Sequence, residues 1–135
     1  MLNEAVSSIM TSPVLTVSPT DKVQKVYDLM VINKVHHVPV VNEANILLGI
    51  VTTYDLVKNN VNQESLNNVD VADIMTIKVA TLEPTAKIGT AAEIFLEHRF
   101  HALPIVLESK ELVGIVTTHD VLKYEFRKEY PNNPW

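Results

Sequence analysis

Shifting the amino-acid sequence by 65 residues superimposes its two halves without a gap, and this duplication limits the possible folds more than any other feature. Ile9-Met10-Thr11 falls on Ile74-Met75-Thr76, Pro19-Thr20 on Pro84-Thr85, His36 on His101 and Pro39 on Pro104. Gly49-Ile50-Val51-Thr52-Thr53 falls on Gly114-Ile115-Val116-Thr117-Thr118, and Asp55 and Lys58 fall on Asp120 and Lys123. About twenty of fifty aligned positions from Ile9 to Lys58 are identical, far above chance for unrelated segments.

Each copy reads as βαββα. An extended stretch, Val14 to Val17 or Val79 to Leu82, ends in a Pro-Thr pair suited to a helix start. Val23, Val26, Tyr27 and Met30 then recur at the i, i+3, i+4, i+7 spacing of a buried helical face, repeated by Ile88, Ala91, Ala92 and Phe95. That spacing assigns Tyr27 and Phe95 to the core. Two β-rich runs follow, His37 to Val41 and Leu47 to Thr52, joined by the polar turn Asn42 to Asn45. In the second copy Leu103 to Leu107 and Leu112 to Thr117 flank Glu108 to Lys110. A last helix starts after each Thr-Thr pair, ending near Asn59 in the first copy and near Tyr130 in the second. The repeat boundary divides the chain into motifs 1–65 and 66–135, with polar residues 59–68 read as a linker. Units of about sixty residues carry small cores. The expected α/β (α+β) architecture is therefore a pseudo-symmetric pair of βαββα motifs packed sheet to sheet into one compact module, leaving two equivalent clefts lined by both copies.

Composition narrows the function. The 135 residues lack cysteine, which excludes disulfides, thiolate catalysis and cysteine-ligated metals, and fits the cytoplasm. A formal charge of -5 argues against nucleic acid and anionic lipid as partners, so any phosphate must be caught locally. No apolar run approaches the ~20 residues of a membrane span, and the start lacks the features of a secretion signal.

The paired Ile-Met-Thr openings, His-x-x-Pro-hydrophobic strands (His36 to Val40, His101 to Ile105) and Gly-Ile-Val-Thr-Thr-x-Asp segments resemble the tandem cystathionine β-synthase (CBS) domain, or Bateman module. The resemblance covers nearly the whole chain. It implies a free-standing regulatory module that binds an adenine nucleotide (AMP, ADP or ATP, with S-adenosylmethionine or NAD as alternatives), requires no cofactor, forms a homodimer through its helices and signals to a partner protein not identified by the sequence.

The Gly-x-x-Thr-x-x-Asp segments carry the chemistry. Gly49 and Gly114 are read as letting a ligand approach the strand backbone. Thr52 and Thr117 offer a hydroxyl beside the free N–H groups of a helix start, a natural phosphate seat. Asp55 and Asp120 present carboxylates able to accept both hydroxyls of a ribose. The same Thr-x-x-Asp spacing also makes a capping box, and both readings hold for an empty protein. In nucleotide-binding relatives the positions of His36, His37 and His101 face the phosphates. The His36-His37 pair, against His101-Ala102, makes the Asp55 cleft look better supplied for phosphate. By family position Thr11 and Leu15 contact the adenine in one cleft, and Thr76 and Ala80 in the other.

No metal site is expected, because His98, His101 and His119 fall on three different elements. An enzyme would need a nucleophile with its base or paired carboxylates, and the sequence offers neither outside the repeat. The main alternative is a structural dimerisation module with vestigial clefts. The tail to Trp135 and the run Tyr124 to Arg127 have no assigned role.

Overall fold

The computed structural model describes residues 2–134; Trp135 lies outside the described residues. It is a mixed α/β structure with two small antiparallel sheets: α1 (Val23–Asn33), β1 (His37–Val41), β2 (Leu47–Thr52), α2 (Thr53–Lys58), α3 (Gln63–Leu66), α4 (Ile88–His98), β3 (Ala102–Val106), β4 (Leu112–Thr117) and α5 (Thr118–Glu129). Single 3-10 turns at Val6–Ser8 and Val71–Asp73 open the two repeats.

The chain forms two compact units whose membership differs from the two halves of the sequence. One comprises residues 2–14, Ala80–Glu108 and 113–134; the other comprises Leu15–Val79 and Ser109–Leu112. Each repeat thus sends its opening segment into the body formed mainly by the other. Val6 donates to the Ala86 carbonyl at 2.7 Å, and its counterpart Val71 donates to the Asp21 carbonyl at 2.8 Å. Both valines are fully buried, Val6 against Ile88, Phe95, Leu103 and Ile105, and Val71 against Val23, Val26, Val38 and Val40. Complete burial of a valine removes enough apolar surface to be worth about 1.5–3 kcal/mol, so each opening segment is anchored by one apolar plug.

In the Leu15–Val79 unit, β1 pairs with β2 from His37↔Thr52 to Val41↔Leu47, with a bulge at Val40/Val41. The turn is closed by the Asn42 side chain, which accepts from Ala44 and Ile46. Both hairpins fall where the β-rich runs place them. The opening strands are shorter than the sequence suggests: each is a single parallel bridge, Val17↔Val40 or Leu82↔Ile105. Val17 donates to Pro39 and accepts from Val41, and beyond those two bonds the neighbouring backbone turns toward Pro19.

Helices α1 and α4 start three residues beyond the Pro-Thr pairs and are capped at their C-terminal ends by Lys34 and Arg99, both left-handed, where the chain must reverse. Val23, Val26 and Met30 are buried as their spacing requires, but Tyr27 is 45% exposed. It lies at the edge of the stripe, where the other repeat has the small Ala92. Phe95 is buried as expected. The stretch read as a linker contains α3, capped by the Asn62 side chain, and buries Leu66 in the core.

Candidate functional site

The Thr-Thr-x-Asp segments sit where a strand turns directly into a helix. In the Leu15–Val79 unit, Thr52 closes β2 and caps α2. Its N–H donates to Asp55 Oδ2 at 2.8 Å, its hydroxyl donates to the same oxygen at 3.1 Å, and it accepts from the Asp55 N–H at 3.2 Å. The reciprocal capping box allowed by the sequence is therefore formed. A further partner comes from the opening segment of the second repeat, whose Thr76 forms an antiparallel bridge with Ile50. The Thr76 hydroxyl donates to Asp55 Oδ1 at 2.9 Å. Asp55 is consequently 5% exposed with both carboxylate oxygens engaged.

The other unit repeats the arrangement without that last bond. Thr117 caps α5 with Asp120 in the same box, at 2.8, 3.0 and 3.2 Å. Thr11 forms the antiparallel bridge with Ile115 that Thr76 forms with Ile50. Among the described residues, however, the Thr11 hydroxyl makes no hydrogen bond to Asp120, and Asp120 Oδ1 remains open. Asp120 is only partly buried and lines a cavity of about 480 Å³ together with Glu4, Ser8, Ile9, Met10, Thr11, Lys123, Tyr124, Arg127 and Lys128. That size lies within the usual range for small-molecule sites.

The glycines have a structural reason of their own. A Cβ on Gly49 would stand 2.7 Å from the Thr76 carbonyl oxygen, and one on Gly114 would overlap the Met10 thioether. The close approach is made by Met75 and Thr76 at Gly49 and by the Met10 side chain at Gly114, in the space the sequence reading leaves to a ligand.

His36, His37 and His101 stand at the strand starts. The His36 carbonyl accepts from Thr53 N–H at 3.1 Å and the His101 carbonyl from Thr118 N–H at 3.0 Å, tying each strand entry to the following helix. None of the three lines the cavity. Leu15 is 44% exposed and belongs to the unit of Asp55, whereas Ala80 is exposed in the unit of Asp120. Of the expected ligand contacts, the structure thus joins Thr11 with Asp120 in one cavity and Thr76 with Asp55 in one hydrogen bond.

The sequence reading gave no role to Tyr124 and Arg127. With Asp120, Lys123 and Lys128 they fall at i, i+3, i+4, i+7 and i+8, a single face of α5. Continuing the helical count from Asp120 would have found them. The Lys128 ammonium lies over the Tyr124 ring, 4.4 Å from its centroid, and bonding to the Tyr124 side chain raises its pKa.

A duplicated strand-turn-helix with a Thr-x-x-Asp cap at each turn, completed by an exchanged Met-Thr segment, defines a tandem-repeat α/β module. The CBS domain family model matches residues 6–62 and 71–127, and the chain belongs to that family. It is 30% identical over 125 residues to the CBS domain-containing protein YhcV of Bacillus subtilis, covering 93% of this chain and 88% of YhcV. It is also 33% identical over 133 residues to protein MJ1225 of Methanocaldococcus jannaschii, covering 90% of this chain and 47% of that protein. The MJ1225 structure superimposes with a TM-score of 0.84. CBSX2 of Arabidopsis thaliana, solved in complex with AMP, gives a TM-score of 0.84 at 27% identity, covering 93% of this chain and 98% of that one. The chain spans only about a quarter to a half of several curated relatives, 24% of a homoserine O-acetyltransferase from Methanococcus vannielii among them. Among the described residues no helix is long and apolar enough to cross a membrane.

Proposed function

We propose that this chain is a nucleotide-responsive regulatory module and that its adenine nucleotide binds in the Asp120 cavity. The observation that carries this reading is the state of the Asp120 carboxylate. One oxygen is held by the cap of α5, the other accepts no hydrogen bond among the described residues, and Asp120 lines a cavity of about 480 Å³ together with Thr11. A pre-oriented carboxylate with a vacant acceptor suits a pair of ribose hydroxyls, because the bonds it accepts are charge-assisted. The AMP complex of the similar CBSX2 supports an adenosyl ligand.

The reading also departs from the preference for the Asp55 cleft that the histidine pair suggested. Asp55 Oδ1 already accepts from Thr76, and α2 has only six residues, against twelve in α5. In that unit the capping role accounts for the Thr-x-x-Asp pattern.

Ligand would act on a partner protein only through unequal affinity for two states of the module. We read the assembly as a homodimer formed through helices. Support comes from repeat-related apolar residues left on the surface: Val31 with Leu96, and Val57 with Leu122, all at least 59% exposed. Light scattering of the purified chain tests this: a monomer mass overturns it.

For the ligand, thermal denaturation is followed with AMP, ADP, ATP, S-adenosylmethionine and NAD. At a hundredfold excess over Kd, binding adds about 2.7 kcal/mol. Asp120→Asn is expected to abolish the rise in Tm and Thr11→Ala to reduce it. If none of these compounds raises the Tm of the unmodified chain, the reading fails.

A further inference from the structure

The two opening segments dock through the same backbone bonds and differ in their side-chain anchors. In residues 2–14, Val6 N–H donates to the Ala86 carbonyl and Ser7 N–H to that of Pro84, while Thr11 and Ile115 exchange a pair of bonds at 2.9 and 3.1 Å. In the second repeat Val71 donates to Asp21 and Ala72 to Pro19, and Thr76 exchanges the same pair with Ile50. The second segment adds side-chain anchors to these bonds. Asp70 pairs with Lys22 at 2.6 Å, Ile74 is buried, and the Thr76 hydroxyl reaches Asp55. The first segment has none of the three. Ala5 replaces Asp70 opposite Lys87 in the equivalent antiparallel bridge, Ile9 is only partly buried, and the Thr11 hydroxyl makes no such bond among the described residues.

Val6 alone is buried among the described residues 2–14. The Lys128 pKa is raised by bonding to the Tyr124 side chain and, more weakly, by the Glu4 carboxylate, but Glu4 and Lys128 are both exposed, where such attraction is screened. Holding each backbone residue in place costs conformational entropy, and a segment with few buried groups opens well before the whole fold does. The same segment supplies Glu4, Ser8, Ile9, Met10 and Thr11 to the wall of the Asp120 cavity. It also completes α4, which has no side-chain cap: the Ile88 and Gly89 N–H groups donate to the Glu4 and Leu2 carbonyls, both at 2.8 Å. The first amides of a helix have no partner within it, so these two register whether the segment is docked.

We propose that residues 2–14 form a detachable arm, which undocks as a unit from the body built by the second repeat and is held down when the cavity it walls is filled. Undocking dismantles that wall, so a ligand of the cavity binds the docked form alone. It also uncovers the apolar seat of Val6, formed by Ile88, Leu103 and Ile105. Docked and undocked arms are then the two states a partner distinguishes. The link to the ligand rests on the nucleotide reading of the cavity; the looseness of the arm does not.

Amide hydrogen exchange of the full chain, corrected for intrinsic rates, tests the proposal, first with no nucleotide present. The amides of Val6, Thr11, Ile88 and Gly89 are expected to exchange at a common rate, about tenfold or more faster than those of Val71, Thr76, Val23 and the β3–β4 hairpin. Ala5→Asp restores a carboxylate opposite Lys87 and should slow the arm amides by about twofold to fivefold. Val6→Ala should speed them by about tenfold or more and leave the hairpin unchanged. Arm amides as slow as their second-repeat counterparts overturn the proposal, as does a Val6→Ala effect that is equal in the arm and the hairpin. With AMP or ATP at a hundred times its measured Kd, exchange through arm opening should slow by about a hundredfold. A nucleotide that binds and leaves the arm rates unmoved overturns the link between arm and cavity. If neither nucleotide binds, the Asp120 assignment fails and that link fails with it, while the rates in the free chain still decide whether the arm undocks.

Discussion

The Thr76 hydroxyl donates to Oδ1 of Asp55 at 2.9 Å, tying the opening segment of the second repeat to the helix cap of the first. No equivalent bond joins Thr11 to Asp120 among the described residues, although both pairs sit beside the same kind of antiparallel bridge. One hydrogen bond thus distinguishes a carboxylate with both oxygens engaged from one that lines a cavity.

Removing that donor leaves a buried charged oxygen without a partner. Thr76→Val is expected to cost about 1–3 kcal/mol, or roughly 3–10 °C in Tm. Thr11→Val, at an exposed position, should change Tm by little. Equal losses in the two variants would mean that the Thr76 bond contributes nothing specific.

The two glycines before the capping boxes should respond differently to alanine. In Gly49→Ala the new Cβ meets the Thr76 backbone carbonyl, which is held in a bridge and cannot withdraw, so a loss of about 2–3 kcal/mol is expected. Met75→Ala should not restore it. In Gly114→Ala the obstruction is the Met10 side chain, and adding Met10→Ala should recover much of the loss. Chemical denaturation of the single and double variants distinguishes the two cases, and failure of the Met10 rescue would refute the assignment.

Leu66 tests whether residues 59–68 only connect the repeats. Leu66→Ala removes a buried side chain packed in the core with Val23, Val26 and Val71, and should cost about 2–4 kcal/mol. A true linker residue would show a change near zero in the same urea titration.

Asp21 contributes stability that depends on pH. The Ser18 N–H donates to its carboxylate at 2.8 Å, and Lys25 stands 3.2 Å away, so its pKa is lowered below the ordinary 3.8. A lowered folded-state pKa means that the stabilisation is complete above the unfolded-state value and is lost as pH falls through the folded-state value. Asp21→Asn should therefore destabilise the chain at pH 7, by about 0.5–1 kcal/mol for a partly exposed group, and the difference should vanish in acid. A difference that persists unchanged at about pH 2 would rule out this linkage.

The duplication, both hairpins, the buried stripes of α1 and α4 and the Thr-x-x-Asp caps were legible in the sequence because each depends on near neighbours. Alternation, helical period and a three-residue cap spacing are local, and the chain writes them twice. What the sequence could not rank was the two aspartates, which share identical flanks. Their difference comes from residues brought beside them from elsewhere in the chain: Thr76 seals Asp55, whereas Thr11 and the segment from Glu4 leave Asp120 open to a cavity. The crossing of the opening segments was likewise decided by long-range packing, since Val6 and Val71 are buried only in a body built largely from the other repeat. Local pattern fixes which groups are present; only the tertiary fold sets which hydroxyl reaches which carboxylate, because a hydrogen bond is made or lost over less than an ångström.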